Sequence, residues 1–151
     1  MVEIGDRAPD FELRDQANQP VRLSDYRGKK NVLLVFYPFT FTPVCGTELV
    51  TLRDNIQTFQ NDDVELLAVS CDSTPAHRTW AEQHSFGFPL LADFWPHGEA
   101  ARAYGVFNEE RGCATRGSFV IDREGVVRWK IVNPIPDARD HEQYAKVLAE
   151  L

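Results

Sequence analysis

Apolar residues along this chain fall into blocks of two different periods. A continuous β-branched and aromatic run, NVLLVFYP, occupies residues 31–38, and a second, VELLAVS, occupies residues 64–70. Runs of this length without polar interruption are typical of strands that are buried on both faces. The apolar positions between the two runs step by three and four residues, at Cys45, Leu49, Leu52, Ile56 and Phe59. That spacing predicts one face of a helix.

The rest of the chain extends the alternation of strand and helix. Short apolar pairs on either side of RDQANQP predict an N-terminal β-hairpin. Ser73 and Pro75 supply a cap and a first-turn proline for a helix that ends near His84. Four further elements are a strand in FPLLAD, a helix in GEAARAYG, a hairpin over residues 117–132 around DREG, and a C-terminal helix with Tyr144, Val147, Leu148 and Leu151 on one face.

This order of elements restricts the fold. Alternating strands and helices require right-handed crossovers and a parallel sheet core, and the terminal hairpin makes the sheet mixed. We therefore predict an α/β protein with a thioredoxin-like fold, in which a central mixed sheet is flanked by helices and preceded by an N-terminal β-hairpin. The 151 residues are predicted to form one domain, 1–151.

Composition excludes several classes of function. A net charge of −7 and the lack of a basic patch argue against nucleic-acid binding. The N-terminus lacks a basic segment followed by an apolar one, and no apolar run approaches the roughly 18 residues of a membrane span. Three widely spaced cysteines without a C-x-x-C pair indicate a reducing compartment. We expect a cytoplasmic protein with no membrane partner.

The first predicted helix begins next to a cysteine. Thr42 is placed at the N-cap, Pro43 at N1 and Cys45 at N3, so the sulfur lies near unpaired backbone N–H groups that favour a thiolate. A helix terminus contributes only about 0.3–1 kcal/mol. Because that is too little to keep a cysteine ionised at neutral pH, a nearby cation is required.

Arg116 is the candidate for this cation. Of the twelve arginines, it leads directly into the strand RGSFVID, which can lie next to the first long strand. Glu48, one turn after Cys45, can orient the guanidinium through a paired contact. A simpler interpretation stays open from the residues alone, in which Cys45 is a small core residue and the two charges are solvated.

These motifs resemble those of the peroxiredoxin family. PFTFTPVC matches the pattern P-x-x-x-[TS]-x-x-C through Pro38, Thr42 and Cys45, and RGSFVID is similar to the family strand that carries the active-site arginine. The resemblance extends from GDRAPDFEL to the last hairpin. LLADFWPHGEAARAYGVFNEERG resembles the AhpE-like branch, named after alkyl hydroperoxide reductase E.

The resemblance implies a thiol-dependent peroxidase without cofactor or metal. It implies that Cys45 attacks a hydroperoxide and becomes a sulfenic acid, and that Thr42 hydrogen-bonds the peroxide and the thiolate. Pro38 would shield the sulfur from water, Arg116 would hold sulfur and peroxide together, and Glu48 would support Arg116. The implied substrates are hydrogen peroxide, organic hydroperoxides and peroxynitrite.

The resemblance also implies how the enzyme is recycled. Many relatives of the bacterioferritin-comigratory type carry a resolving cysteine five residues after the first, where this chain has Val50, and no cysteine follows Cys113. We expect a one-cysteine mechanism that uses an external thiol, either mycothiol with a mycoredoxin-like protein or a thioredoxin-like reductant. Cys71 is expected to be a buried small side chain, and Cys113 to point away from the site. A homodimer is implied as well.

Two other functions remain to be distinguished from this one. The same fold can carry a thiol–disulfide oxidoreductase, although the partner thiol of C-x-x-C is missing here. It can also serve as a non-enzymatic binding or holdase module whose cysteine only packs. Among the other chemically active side chains, we expect surface or cap roles for His77 and His84, a core position for Trp80, and a dimer surface or substrate entrance at Trp95.

Overall fold

A computed structural model describes residues 1–151, which form nine strands and five α-helices. The strands are β1 (Glu12–Arg14), β2 (Pro20–Arg22), β3 (Asn31–Phe36), β4 (Val64–Ser70), β5 (Leu90–Ala92), β6 (Phe107–Asn108), β7 (Cys113–Ala114), β8 (Arg116–Ile121) and β9 (Val127–Asn133). The helices are α1 (Pro43–Asp54), α2 (Ile56–Phe59), α3 (Thr74–His84), α4 (Glu99–Ala103) and α5 (His141–Ala149), and a 3₁₀ turn covers Leu23–Tyr26. None of the helices combines the length and apolarity needed to cross a membrane.

Seven of the strands form one mixed sheet in the order β2-β1-β5-β4-β3-β8-β9. Strands β3, β4 and β5 run parallel, whereas β8 lies antiparallel to β3 and β9 antiparallel to β8. Strands β1 and β2 form the N-terminal hairpin, which pairs with the edge of β5. The predicted thioredoxin-like α/β fold is confirmed.

The sheet separates two apolar cores. Successive side chains of a strand point to opposite faces. In β3, Val32, Leu34 and Phe36 therefore pack with the N-terminal segment and α4. Leu33 and Val35 pack on the other face with α1, α3 and α5. Because both faces of β3 are covered, its residues are all buried, as its unbroken apolar run predicts.

The pairing of β8 with β3 determines which residues meet at one end of the sheet. Val35 lies opposite Ser118 in the antiparallel register. Continuing this register by two residues places Arg116, the first residue of β8, beside Tyr37, where the chain leaves β3 for α1. The predicted neighbourhood of the RGSFVID strand and the first long strand is confirmed.

Two local features differ from the sequence-based expectation. The helix expected from Cys45 to Phe59 is interrupted at Asn55, whose side chain donates to the Thr51 carbonyl at 2.8 Å and competes with the helical backbone bonds. The short β6–β7 hairpin was not predicted, because strands of two residues are too short to show a period.

Candidate active site

The turn between β3 and α1 places the cysteine as predicted. Thr42 is the N-cap of α1 and Pro43 its first residue, so Cys45 lies in the first turn. The Thr42 side chain does not cap the helix. Its hydroxyl donates instead to the Phe39 carbonyl at 2.6 Å and closes the turn that precedes the helix. Since the hydroxyl proton is used in this bond, the oxygen of Thr42 is left with lone pairs that can accept a hydrogen bond.

Arg116 brings a positive charge into contact with the cysteine. Its Nη1 lies 3.3 Å from the Cys45 Sγ, and both side chains are almost completely buried. The Nε of the same guanidinium donates to the Ile135 carbonyl at 2.5 Å, which fixes the plane of the group. A charge held this way, away from solvent, interacts strongly with a thiolate because screening by water is weak.

Glu48 lies one turn after Cys45 and contacts the same guanidinium. Its Oε1 accepts from Arg116 Nη1 at 2.5 Å, and its side chain is only 6% exposed. Burial by itself would raise the pKa of Glu48, but hydrogen bonds from Arg139 and the charges of Arg139 and Arg116 bring that pKa below its ordinary value. Glu48 is therefore an anion at neutral pH, and the alternative of a solvated surface charge is wrong for both Glu48 and Arg116.

Arg139 completes the cluster, although no motif or periodic pattern in the sequence distinguishes it from the other arginines. Its Nε and Nη2 donate to the two oxygens of Glu48 at 2.9 and 2.8 Å. Its Nη1 donates to the carbonyls of Phe36 and Gly117 at 2.5 and 3.0 Å and to the Ser118 hydroxyl at 3.1 Å. The side chain is 1% exposed. Arg139 thus ties Glu48 to the ends of β3 and β8.

The charged side chains of this cluster leave a surplus of one positive charge. Arg116 and Arg139 carry two positive charges, and Glu48 supplies one negative charge. A buried charge without a partner is costly. Cys45 Sγ lies 3.3 Å from Arg116, one of the two cations that share this surplus.

Pro38 lies at the start of the same turn and is buried. Beside the turn, a groove of about 530 Å³ is lined by residues that include Phe41, Thr42, Gly46, Val50 and Trp80. Trp80 is 2% exposed, which confirms its predicted core position. The groove runs along the first turns of α1, and Cys45 is not among the residues that line it.

The other two cysteines are buried and free. Burial raises the pKa of Cys71 to about 12. It also raises the pKa of Cys113, although the charges of Arg111 and Arg116 oppose this. Reactivity requires the thiolate, so both thiols are poor nucleophiles in the folded chain. The prediction that Cys71 is a buried small side chain is confirmed.

His77 corrects one expectation. It is completely buried, not a surface or cap residue, because it shares the inward face of α3 with Trp80 and Ala81 at the i, i+3 and i+4 positions. The helical spacing of His77, Trp80 and Ala81 in the sequence was enough to predict that His77 is buried. Trp95 is 83% exposed, and its role in an interface or entrance stays a prediction.

Comparison with known proteins identifies the family. Residues 4–130 match the family model described as the AhpC/TSA family. The chain belongs to the AhpC/TSA family. Alkyl hydroperoxide reductase E from Mycobacterium tuberculosis is 51% identical over 151 residues, which cover 100% of this chain and 99% of that protein. This AhpC/TSA protein is an AhpE-like peroxiredoxin, and it is a thiol-dependent peroxidase.

Comparisons with more distant relatives support the same family assignment. A peroxiredoxin from Thermoplasma volcanium is 38% identical over 156 aligned residues, covering 99% of this chain and 75% of that protein. Among solved structures, peroxidoxin BcpB from Mycobacterium tuberculosis superposes with a TM-score of 0.89 at 30% identity, covering 100% of this chain and 99% of that one. Membership of this family excludes the interpretation of the chain as a non-enzymatic binding or holdase module.

Proposed function

We propose that Cys45 is the peroxidatic nucleophile of a one-cysteine peroxidase and that Arg116, Glu48, Thr42 and Pro38 form its active site. The observation that carries this proposal is the 3.3 Å contact between Arg116 Nη1 and Cys45 Sγ, made by a guanidinium that Glu48 also holds. One fixed cation can stabilise the thiolate before the reaction and the leaving oxygen during it.

The reaction consumes one hydroperoxide and two thiols. The Cys45 thiolate attacks the terminal, hydrogen-bearing oxygen, the S–O bond forms, and the O–O bond breaks. The sulfur is oxidised to the sulfenic acid, and the departing alkoxide takes a proton to become an alcohol, or water when the substrate is hydrogen peroxide. An external thiol then displaces water from the sulfenic acid, and a second thiol releases Cys45 from the mixed disulfide.

The remaining residues orient the hydroperoxide. The Thr42 oxygen, whose own proton is given to the Phe39 carbonyl, accepts the O–H of the hydroperoxide. Arg116 donates to the oxygens on which negative charge develops. Pro38 is buried at the base of the turn and keeps water from the sulfur. Fixing both reactants in line for displacement lowers the entropic part of the barrier.

An external thiol completes the cycle. Val50 occupies the position five residues after Cys45, so that route to an internal disulfide is absent. Cys71 and Cys113 are buried and have raised pKa values, which disfavours attack by either of them. The reductant is mycothiol with a mycoredoxin-like protein, or a thioredoxin-like protein.

Hydrogen peroxide, organic hydroperoxides and peroxynitrite are the proposed substrates. The groove beside Thr42 has about 530 Å³ and presents Phe41 and Trp80, which suits an alkyl chain better than a fully polar pocket would. The relative of 51% identity bears the name alkyl hydroperoxide reductase.

The proposed enzyme is a homodimer in the cytoplasm. Phe41, Phe94 and Trp95 expose apolar rings, the kind of surface that a second subunit covers. Three free cysteines suit a reducing compartment. Sedimentation over a range of protein concentrations tests the dimer.

The decisive experiment compares the parent protein with Cys45→Ser, Cys71→Ala and Cys113→Ala. Stopped-flow fluorescence with hydrogen peroxide and with a fatty-acid hydroperoxide is expected to give a fast reaction for the parent and both alanine variants. Cys45→Ser is expected to give none, and its reaction at the parent rate would disprove the proposal. Mass spectrometry after one equivalent of peroxide is expected to find sulfenic acid at Cys45. An intramolecular disulfide would overturn the one-cysteine mechanism.

A further inference from the structure

The turn that carries Thr42 has a strained backbone. Phe41 has φ of 67°, in the left-handed region that bulky side chains rarely adopt. Its neighbour on one side is Thr40 and on the other the N-cap of α1. A strained residue persists only where the surrounding structure holds it. The contacts of Thr40 therefore hold this turn in shape together with the bond from Thr42 to the Phe39 carbonyl.

Thr40 is anchored by Asp72, which lies in the loop after β4. The backbone N–H of Thr40 donates to Asp72 Oδ2 at 2.9 Å, and Asp72 follows the end of β4. The Thr40 hydroxyl lies 3.1 Å from the hydroxyl of Tyr37, which provides a second anchor within the turn. Of the two, only the bond to Asp72 ties the turn to the neighbouring strand.

The carboxylate of Asp72 is itself oriented by buried groups. Ser70 donates its hydroxyl to Asp72 Oδ2 at 2.7 Å, and His77 Nε2 lies 2.7 Å from the same hydroxyl oxygen. Because a hydroxyl has one proton, His77 must donate its Nε2–H to Ser70. Ser70 and His77 are completely buried. The chain from α3 through β4 thus fixes the position of the oxygen that binds Thr40.

We propose that Asp72 is a positioning residue of the peroxidase, which holds the strained turn at Thr40 and thereby places the Thr42 oxygen beside Cys45. Asp72 acts through the Thr40 backbone, and no bond joins it to Cys45, Arg116 or Glu48. This inference rests on the proposed function, in which Thr42 binds the hydroperoxide. Without Asp72, the turn relaxes toward unstrained conformations, and the hydroperoxide loses its orientation while the cation at the sulfur remains.

The test measures the rate constant of Cys45 oxidation on the alkaline plateau of the pH–rate profile, where every Cys45 is ionised. Asp72→Ala is expected to lower this plateau about tenfold, equivalent to about 1.4 kcal/mol. Asp72→Asn keeps an oxygen acceptor in place and is expected to recover most of the rate. A plateau for folded Asp72→Ala that equals the parent's, or no recovery in Asp72→Asn, would overturn the proposal.

Ser73→Ala is the matched control. Ser73 is the N-cap of α3, and its side chain accepts from the Ala76 N–H at 3.3 Å. Its loss weakens the same region but leaves the bond to Thr40 intact. We expect a lower melting temperature and an unchanged plateau. If the plateau of Ser73→Ala falls as far as that of Asp72→Ala, the effect is general destabilisation and the proposal is wrong.

A second measurement does not depend on whether Asp72→Ala folds. Amide hydrogen exchange of the parent is expected to show protection of the Thr40 N–H, and Asp72→Asn, which keeps an oxygen acceptor, is expected to retain most of that protection. Exchange of Thr40 in the parent at the rate of an unbonded turn amide would contradict the proposal. Failure of the proposed function is recognised separately, because the parent and Cys45→Ser would then react with peroxide equally.

Discussion

Cys45 is supported on two sides by structures of different kinds. On one side, Arg116, Glu48 and Arg139 form a buried cluster in which charge dominates. On the other, Asp72 fixes a backbone turn through the amide of Thr40. In the proposed mechanism, the charged side stabilises the ionised sulfur, whereas the turn positions the substrate. The two tasks depend on separate contacts, so substitutions can disturb one without the other.

The charged side also contrasts with the protein surface. The Glu48–Arg116 and Glu12–Arg22 pairs have the same N–O distance of 2.5 Å. The side chains of the first pair are 6% and 3% exposed, and those of the second are 51% and 52% exposed. Water screens the second pair and weakens it. Burial, not distance, distinguishes the Glu48–Arg116 pair from the Glu12–Arg22 pair.

Glu48→Gln tests this distinction and should have the largest effect. It leaves two buried guanidiniums with one fewer negative charge, which is expected to lower the free energy of unfolding by about 3–5 kcal/mol. Glu12→Gln is the control and is expected to cost about 0–1 kcal/mol. Urea denaturation of both variants measures the difference, and equal losses would show that burial does not set the energy.

The pH dependence of stability gives a second test of the contribution of Glu48. Since the folded chain lowers the pKa of Glu48, its stabilising contribution is present above the unfolded value of about 4.3. That contribution is lost as the pH falls through the lower folded value. The parent is therefore expected to lose stability on acidification in that range. Glu48→Gln should lack this part of the loss.

Arg116→Ala disturbs the charged side alone, and its effect is measured by the rate of reaction with peroxide. Removing a fixed donor to a developing negative charge typically costs about 10²–10³ in rate, and we expect a loss of that size in the second-order rate constant with hydrogen peroxide. Arg123→Ala, which removes an exposed partner of Asp63, is the control and is expected to keep the parent rate. A folded Arg116→Ala protein that reacts at the parent rate would remove the charged side from the mechanism.

The turn side should respond to acid through His77. Burial lowers the pKa of His77 to about 4, so the folded chain holds it neutral while the unfolded chain protonates it at about 6.5. Stability should therefore fall as the pH decreases from about 6.5 to about 4, by about 3 kcal/mol in total. His77→Gln is expected to flatten this part of the stability profile. An unchanged slope would mean that folding does not lower the pKa of His77.

Tyr144→Phe should have the smallest effect. The Tyr144 hydroxyl lies 2.6 Å from the Ser118 hydroxyl, which accepts from Arg139 at 3.1 Å. Removing it deletes one hydrogen bond at the edge of the cluster, with an expected cost of about 0.5–1.5 kcal/mol. The rate constant with peroxide should change less than in Arg116→Ala. A comparable fall in rate would extend the catalytic cluster into α5.

Much of this architecture could be predicted from the sequence because local patterns encode it. The unbroken apolar run of β3 and the Thr-Pro helix start placed Cys45 in the first turn of α1. Arg116 could be selected because it opens a strand. Arg139 could not, because it comes from an irregular segment whose sequence has no period, and it meets Glu48 across 91 residues of chain. The one indication of a second arginine was chemical: the two oxygens of a buried carboxylate such as Glu48 can accept hydrogen bonds from more than one guanidinium.

The contact between Thr40 and Asp72 lay beyond sequence reasoning for a similar reason. It joins a backbone amide to a side chain 32 residues away, and a backbone donor has no signature in the residue type. The left-handed conformation of Phe41 was equally hidden, since phenylalanine gives no indication of it. By contrast, the burial of His77 was readable from its spacing to Trp80 and was missed.

The two guanidiniums that bind Glu48 also affect the state of the protein that forms after reaction with peroxide. In the proposed cycle, conversion of a Cys45 thiolate into an uncharged sulfenic acid would leave one cation there without a counterion, in a place that solvent scarcely reaches. Such a surplus would attract an anion, and would therefore favour a thiol reductant that arrives already deprotonated.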